Sequence, residues 1–137
     1  MNHLRSVATL AFATAAAALV VVANPLAAQG TGAYTAAQAR QGAKLFDDNC
    51  AACHGADLSG TAAPPLAGRS FMLKWTGQTA ADLHDLLSTQ MPLTAPGSLK
   101  PPEYLALVAF ILSKNGYPDG PAALDKTKLK NITIKLQ

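Results

Sequence analysis

Apolar residues recur at helical spacing in three separate stretches of the chain, and the first begins at Thr35. Thr35 and Gln38 have the spacing of a capping box, which marks the start of a helix. Four small or apolar residues then fall on one stripe, namely Ala39, Gly42, Ala43 and Phe46. The pattern predicts a helix from Thr35 to about Asn49 with one buried face, along which Gly42 would let another backbone come close.

A second, shorter helix is predicted after Thr79. Thr79 and Asp82 form another capping pattern, and the helix should end near Gln90, just before Met91 and Pro92. Its apolar stripe consists of Leu83, Leu86 and Leu87. This spacing predicts that one side of the helix packs against the rest of the domain.

The third helix is predicted to start at Pro101, a residue favoured in a first turn, and to end before Gly116 and Pro118. Glu103 lies near its positive end, where a carboxylate is favourable. Its apolar positions are Tyr104, Leu107, Val108, Ile111 and Leu112. Three main helices joined by long connections indicate an all-α fold.

Residues 55–77 have no sustained period and contain several glycines and the pair Pro64-Pro65. They are predicted to form a loop. The apolar contacts inside that loop are predicted to be Phe71, Leu73 and Trp75. Because a compact domain seldom tolerates more than about 12–15 structureless residues, a bound cofactor is the natural packing partner of such a loop.

The end of the chain combines alternating apolar residues with a concentration of positive charge. Ile132, Ile134 and Leu136 alternate with polar residues, which predicts a short strand or an extended segment lying on the domain. Four lysines crowd the last dozen residues, namely Lys126, Lys128, Lys130 and Lys135. The formal net charge of the whole chain is only +3, so neither nucleic acid nor bulk membrane binding is demanded.

The beginning of the chain has the features of an export signal. Arg5 precedes an apolar run over residues 7–23, and small residues lead to an expected cleavage after Ala28. The alternative is that this apolar run is not cleaved and anchors the chain in the membrane. If the run is cleaved, the mature form would have no membrane span. We therefore expect residues 1–28 to be a signal peptide that directs the chain to the periplasm.

The remaining length suits one small domain. The chain has 137 residues, of which 50% are hydrophobic, and this leaves no room for a second core. We expect residues 29–34 to be a flexible leader, residues 35–120 to be the domain, and residues 121–137 to be a basic tail.

The chemical signal is the run Cys50-Ala51-Ala52-Cys53-His54, a C-x-x-C-H sequence of the kind associated with covalent haem attachment. Two thiols three residues apart at the end of a helix can reach the two vinyl groups of one porphyrin. The imidazole of His54 is then held under the iron as an axial ligand. The pattern predicts one covalently attached haem c.

The cysteine pair has three other interpretations. An exported chain could join Cys50 and Cys53 in a structural disulfide. A thioredoxin-like dithiol would lie near a βαβ pattern, which the sequence lacks. A closed zinc site needs four ligands, and after residues 1–28 only His84 remains besides His54.

A six-coordinate iron needs a second axial ligand, for which Met72, Met91 and His84 are the candidates. Met91 is preferred, because it lies in a breaker-rich loop 37 residues after His54, from which its thioether can reach the far face of the ring. Met72 is predicted to line the pocket. His84 lies between two aspartates and is predicted to be a solvated surface histidine.

These residues together resemble the class I cytochromes c, over roughly residues 35–116. Gly42 and Phe46 match a pair in the first helix of that family, which packs against positions matched here by Leu107 and Phe110. The resemblance implies a small cytochrome c fold, with three main helices and long loops wrapped around one covalently attached haem.

The resemblance also implies roles for pocket residues. Pro64 and Leu66 match a loop in which the proline carbonyl accepts a hydrogen bond from the ligand histidine. Trp75 resembles a family aromatic near a haem propionate, although simple core packing is nearly as good an explanation.

A finer resemblance is to cytochrome modules that serve bacterial quinoprotein alcohol dehydrogenases, and it rests on loop composition. The function it implies is single-electron transfer between redox proteins, from a dehydrogenase toward a terminal oxidase, without catalysis. An exposed haem edge would meet those proteins in brief, polar encounters. A subunit held in a dehydrogenase or oxidase complex is one alternative, and a catalytic or gas-sensing haem protein is another.

Overall fold

A computed structural model describes residues 32–136, which form six helices in this order: α1 (Ala36–Asn49), α2 (Ala51–His54), α3 (Gly68–Trp75), α4 (Ala80–Gln90), α5 (Pro101–Lys114) and α6 (Lys126–Leu129). No strand forms in this range, and one isolated antiparallel bridge joins Thr79 and Thr133. The all-α fold is therefore confirmed. The predicted signal peptide lies outside the described residues, as do residues 29–31 of the predicted leader.

The centre of the fold is the crossing of α1 and α5. A Cβ atom added to Gly42 would lie 1.9 Å from the carbonyl oxygen of Ala106, so the two backbones touch at this point. One turn further along α1, the rings of Phe46 and Phe110 lie 5.3 Å apart at a tilt of 48°. The close approach predicted at Gly42 is confirmed, and it fixes the direction in which α1 delivers the residues that follow it.

The predicted loop over residues 55–77 is wrong in its second half, which forms α3. Phe71 and Trp75 are four residues apart and both are buried, whereas Leu73 is 55% exposed. The apolar contacts therefore follow a helical period, in which Leu73 points outward. The buried residues Phe71 and Trp75 span only one helical turn in a helix that begins at Gly68. This pattern is too short to distinguish a helix from a loop.

The helix α4 begins as predicted but buries a residue that was expected to be exposed. The capping box is complete, because Thr79 accepts from the backbone N–H of Asp82 and the Asp82 carboxylate accepts from that of Thr79. His84 is only 6% exposed, and its ring meets the edge of the Tyr104 ring. The predicted solvated histidine is wrong, because His84 lies on the same helical stripe as the buried Ala80 and Leu87.

The tail lies along the domain as an extended segment, with α6 as an unpredicted short helix. The backbone of Ile134 pairs with Gly77 and Gln78, and the side chains of Leu124, Leu129 and Ile134 are buried in the same core as the main helices. The side chain of Gln38 leaves its predicted capping role and exchanges two hydrogen bonds with the backbone of Leu124, at 2.7 and 2.9 Å. The predicted boundary at residue 120 stays a prediction.

Candidate cofactor site

A cavity of about 560 Å³ opens between α2, the residue 62–66 loop, α4 and α5. Most of its wall is apolar, and the volume falls within the range of about 300–1,000 Å³ usual for ligand sites. The large apolar residues of the wall are Phe46, Leu66, Trp75, Leu83, Leu86, Leu87, Leu93, Leu99, Tyr104, Leu107 and Ile111. All three main helices contribute to it, so the cavity replaces part of what would otherwise be core.

The two cysteines lie on one wall because α1 breaks at Cys50 and restarts as α2. The backbone of Cys50 leaves helical geometry with φ −130°, and its N–H still bonds to the carbonyl of Phe46. Cys50 and Cys53 are not joined by a disulfide, and both line the cavity. Burial, followed by the neighbouring Cys53 thiol, raises the pKa of Cys50 to about 11. Cys50 is therefore a neutral thiol at physiological pH, unlike the activated thiolate of a dithiol oxidoreductase.

His54 is held in one orientation by the loop that follows it. The carbonyl of Cys53 accepts from the Thr61 hydroxyl and from the Ala63 backbone N–H, at 2.7 and 2.9 Å, and this folds the loop back over the histidine. The Nδ1 atom of His54 then lies 2.7 Å from the carbonyl oxygen of Pro64. A carbonyl can only accept, so Nδ1 carries the proton and Nε2 of the neutral ring keeps a lone pair for a metal.

Met91 ends α4 and lines the same cavity. Its backbone N–H bonds to the carbonyl of Leu87, and its carbonyl accepts a 2.9 Å hydrogen bond from the Tyr104 hydroxyl. The same hydroxyl accepts from the backbone N–H of Leu99 at 3.3 Å. Tyr104 thus fixes both ends of the loop that carries Met91, and the thioether lies in a wall of the cavity.

The other predicted pocket residues divide into two groups. Pro64, Leu66 and Trp75 line the cavity, and Leu66 is held by a hydrogen bond from the Asn115 side chain to its carbonyl. Met72 does not line the cavity and is 5% exposed within the hydrophobic core. The predicted pocket role of Met72 is therefore corrected, because α3 presents Trp75 to the cavity and buries Met72 elsewhere.

Two residues that contribute to the site were not predicted as site residues. Tyr104 was assigned only to the apolar stripe of its helix, and nothing local in the sequence shows that its hydroxyl reaches Met91. Lys74 is the one charged side chain that lines the cavity in the described part of the chain. No local pattern in the sequence indicates that Lys74 reaches the cavity, since neighbouring helix positions point in different directions.

The residues present fit a covalently bound haem. The wall offers two unpaired thiols, an imidazole with a free Nε2 and a thioether, which are attachment and ligand groups known for haem iron. The rest of the wall is apolar, as a flat hydrophobic ring requires, and Lys74 could hold a carboxylate at its edge. The fold and this site define a monohaem cytochrome c domain, a class that typically transfers electrons and does not catalyse.

Comparison with known proteins gives the family. The family model described as "Cytochrome C oxidase, cbb3-type, subunit III" matches residues 37–111, and the chain belongs to this family of cytochrome c domains. The chain is also similar to a chain in the crystal structure of the sulfane dehydrogenase SoxCD from Paracoccus pantotrophus, with 25% identity and a TM-score of 0.61. That match covers 70% of this chain and 52% of the other, so the chain spans about half the length of its solved relative. No curated protein matches the chain.

The chain therefore contains a monohaem cytochrome c domain, a class that implies covalently attached haem c, and Cys50-x-x-Cys53-His54 has the form of the attachment motif. Such domains typically work outside the cytoplasm and exchange electrons with redox proteins. Within residues 32–136, no helix combines the length and the hydropathy that a membrane crossing needs.

Proposed function

We propose that this chain carries single electrons in the periplasm from a dehydrogenase toward a terminal oxidase, and that His54 and Met91 are the residues that would hold the haem iron. The observation that carries the proposal is that both residues line one cavity. The His54 ring is held by a 2.7 Å hydrogen bond to the Pro64 carbonyl, and the backbone carbonyl of Met91 accepts a 2.9 Å hydrogen bond from the Tyr104 hydroxyl. When both positions are filled, the iron has no open site for a substrate. That arrangement favours electron transfer over catalysis or gas sensing.

The protein residues set the conditions for a reversible one-electron couple, which the bound haem supplies. Pro64 fixes the orientation of the His54 ring and increases its basicity as a ligand. The thioether of Met91 favours the reduced state and raises the potential relative to stronger donors. The apolar wall excludes water and disfavours the extra charge of the oxidised state.

Three further residues have proposed roles in the pocket. Leu66 packs on the cavity from the histidine side, in the same loop as Pro64. Trp75 and Lys74 lie next to each other at the end of α3, where an indole N–H and an ammonium can hold the carboxylates of the cofactor.

The test is a visible and near-infrared spectrum of the protein exported together with haem-maturation machinery. We expect a covalent haem by pyridine haemochrome analysis, a low-spin ferric spectrum, and the near-infrared band of methionine-ligated ferric haem. A covalent haem that is high-spin at neutral pH would instead favour a catalytic or sensing role. Absence of covalent haem would return Cys50 and Cys53 to the disulfide interpretation.

A second candidate function is that of a haem subunit held permanently in a larger complex. It is favoured by the similarity to a family described as an oxidase subunit and to a solved dehydrogenase. The loop resemblance to modules that serve quinoprotein alcohol dehydrogenases indicates the same class of assembly. Sedimentation of the chain in an extract from its native host separates the two: a carrier sediments as a small monomer, and a subunit sediments with a large dehydrogenase or oxidase.

A further inference from the structure

The side-chain amide of Asn115, which follows the last residue of α5, is buried and fully engaged as a donor. Asn115 is 7% exposed. Its Oδ1 accepts from the backbone N–H of Gly68 at 3.0 Å, and its Nδ2 donates to the carbonyl of Leu66 at 3.0 Å and to that of Ile111 at 2.8 Å. The opposite orientation of the amide would set N–H groups against N–H and oxygen against oxygen, so its partners fix it in one direction.

One arm of this amide reaches the loop that holds His54. The carbonyl of Pro64 lies 2.7 Å from Nδ1 of His54, and Leu66 follows two residues later. Pro64 and Pro65 have no backbone N–H, so this stretch cannot be fixed by donors of its own. The position of the Pro64 carbonyl is consequently set by the residues on either side of the two prolines.

Hydrogen bonds hold the loop on both sides of the prolines. Before them, the N–H of Ala63 donates to the carbonyl of Cys53 at 2.9 Å. After them, the N–H of Leu66 donates to the carbonyl of Leu58 at 2.9 Å, and the Leu66 carbonyl accepts from Asn115. Of these three bonds, the one from Asn115 alone ties the loop to the end of α5.

The other arm of the amide reaches the start of α3. Gly68 is the first residue of α3, and the preceding Ala67 makes no side-chain cap. Oδ1 of Asn115 therefore pairs one of the N–H groups that a helix leaves unpaired at its N-terminus. The last two residues of α3 are Lys74 and Trp75, which both line the cavity. The same amide thus holds two segments that contribute to the cavity wall.

We propose that Asn115 is a positioning residue for His54. By holding Leu66 from α5, it keeps the Pro64 carbonyl in place as the acceptor for Nδ1 of the imidazole. The inference rests on the proposed function, since it treats His54 as the ligand. An amide that merely stabilised the fold would not act selectively on the hydrogen bond at Nδ1, and this difference can be measured.

The experiment is hydrogen exchange followed by NMR in the reduced, haem-loaded protein. It compares the Nδ1–H of His54 with the backbone N–H of Phe46, which lies in the α1–α5 crossing and reports on the stability of the whole fold. Asn115→Leu removes both arms of the amide without adding a charge. Relative to Phe46, exchange at His54 should become about tenfold faster or more. Equal acceleration at both groups, or no acceleration at His54, would overturn the proposal.

A second substitution separates the two arms. At pH 7 the carboxylate of Asn115→Asp can still accept from Gly68, at the positive end of α3, but it has no donor for Leu66. We expect faster exchange at Nδ1 of His54 while the backbone N–H groups of α3 keep their protection. Wild-type protection at His54 in this variant would show that the arm to Leu66 does not position the imidazole.

Gln38→Met is the matched control. Gln38 is another side-chain amide with two arms, which exchanges hydrogen bonds of 2.7 and 2.9 Å with the backbone of Leu124 and does not line the cavity. Its loss should leave the exchange at His54 unchanged relative to Phe46. A selective acceleration at His54 equal to that in Asn115→Leu would contradict the assignment to Asn115.

The ring protons of His54 in the same spectra separate this inference from the proposed function. The ring current of a reduced haem shifts the protons of an axial imidazole strongly upfield. If His54 lacks these shifts, its assignment as a ligand fails and the positioning role fails with it. If the shifts are present and Asn115→Leu leaves the exchange at Nδ1 unchanged, only the positioning role fails.

Discussion

At the scale of single residues, the site depends on which side chain reaches the cavity. The chain contains two methionines within its described part, Met72 and Met91, which are both conceivable ligands from the sequence. Only Met91 lines the cavity, while Met72 is packed in the core. The sequence favours Met91 through its loop position after His54, whereas the structure separates the two methionines by their location. The same substitution can therefore be made at both residues, with Met72 as the control.

Replacement of Met91 by Leu should remove the sixth ligand while nearly preserving side-chain volume. We expect the potential to fall, the near-infrared band to disappear, and the ferrous protein to bind carbon monoxide. Met72→Leu is the control, for which we expect a loss of stability below about 1.5 kcal/mol and an unchanged spectrum. The assignment fails if the band survives in Met91→Leu and is lost in Met72→Leu.

Lys74 should influence the redox potential through its charge. A cation at the cavity wall disfavours the more positive oxidised state, so Lys74→Gln should lower the midpoint potential, and the shift should shrink as salt increases. Lys44→Gln removes the same charge from an exposed position on α1 that does not line the cavity. Redox titrations of both variants at low and high ionic strength check the prediction, which a larger shift in Lys44→Gln would refute.

At the scale of elements, the sequence predicted most reliably where a pattern lasted for three or more turns. The bounds of α1, α4 and α5 were close to those predicted, because each combines a capping signal with a long apolar stripe. The helix α3 was missed because it has only two turns. His84 was misplaced because its aspartate neighbours are polar, while its helical position faces the core.

Contacts between elements could not be predicted from the sequence, for a different reason. The C-x-x-C-H motif predicted the attachment residues and His54, because haem attachment requires this spacing of two thiols and an imidazole. By contrast, the hydrogen bond from Tyr104 to Met91 joins the start of α5 to the end of α4 across the 91–100 loop. Its existence depends on the path of that loop and on the packing of α4 against α5, which no local pattern encodes.

Tyr104→Phe tests how far α5 controls the ligand loop. Loss of the hydroxyl removes the hydrogen bond to the Met91 carbonyl and the one from the Leu99 N–H. Because one such bond contributes about 1 kcal/mol, the ferric protein should bind cyanide on the order of fivefold more tightly. Tyr117→Phe loses comparable bonds to the tail and should leave cyanide affinity unchanged. A spectroscopic cyanide titration that gives both variants the wild-type affinity would show that the loop is held by other contacts.

The crossing of α1 and α5 should not tolerate a larger residue at Gly42. The added Cβ of Gly42→Ala would lie 1.9 Å from the Ala106 carbonyl oxygen and 2.8 Å from Cβ of Phe110. The helices would have to separate, at a cost of about 3 kcal/mol in the free energy of unfolding. Gln41→Ala, at an exposed position of the same helix, should change stability by less than about 0.5 kcal/mol. Urea unfolding of the two holoproteins measures the difference, and similar midpoints would mean that the crossing is less tight than the structure shows.

At the scale of the whole molecule, the cofactor site and the hydrophobic core share side chains. Phe46, Leu107 and Ile111 belong to the α1–α5 core and also to the cavity wall. The tail contributes Leu124, Leu129 and Ile134 to that core from the other side. In the described part of the chain, the core that would have to stay packed is therefore the same one that would contact water if the cavity were filled with water.

This shared core predicts that the chain depends on its cofactor for folding. Each large apolar side chain left against water forfeits about 1.5–3 kcal/mol, and a domain of this size has a total stability of only about 5–15 kcal/mol. A double variant, Cys50→Ala with Cys53→Ala, produced without haem should have low helicity by circular dichroism and no cooperative thermal transition. The single variant Cys53→Ala, which keeps one attachment residue, should retain haem and most of its helicity, so the loss in the double variant is assigned to the missing cofactor rather than to the substitutions. A haem-free double variant that is helical and melts cooperatively would show that α1, α4 and α5 form a core without the ring. The cavity would then be a binding site in a domain that folds without its cofactor.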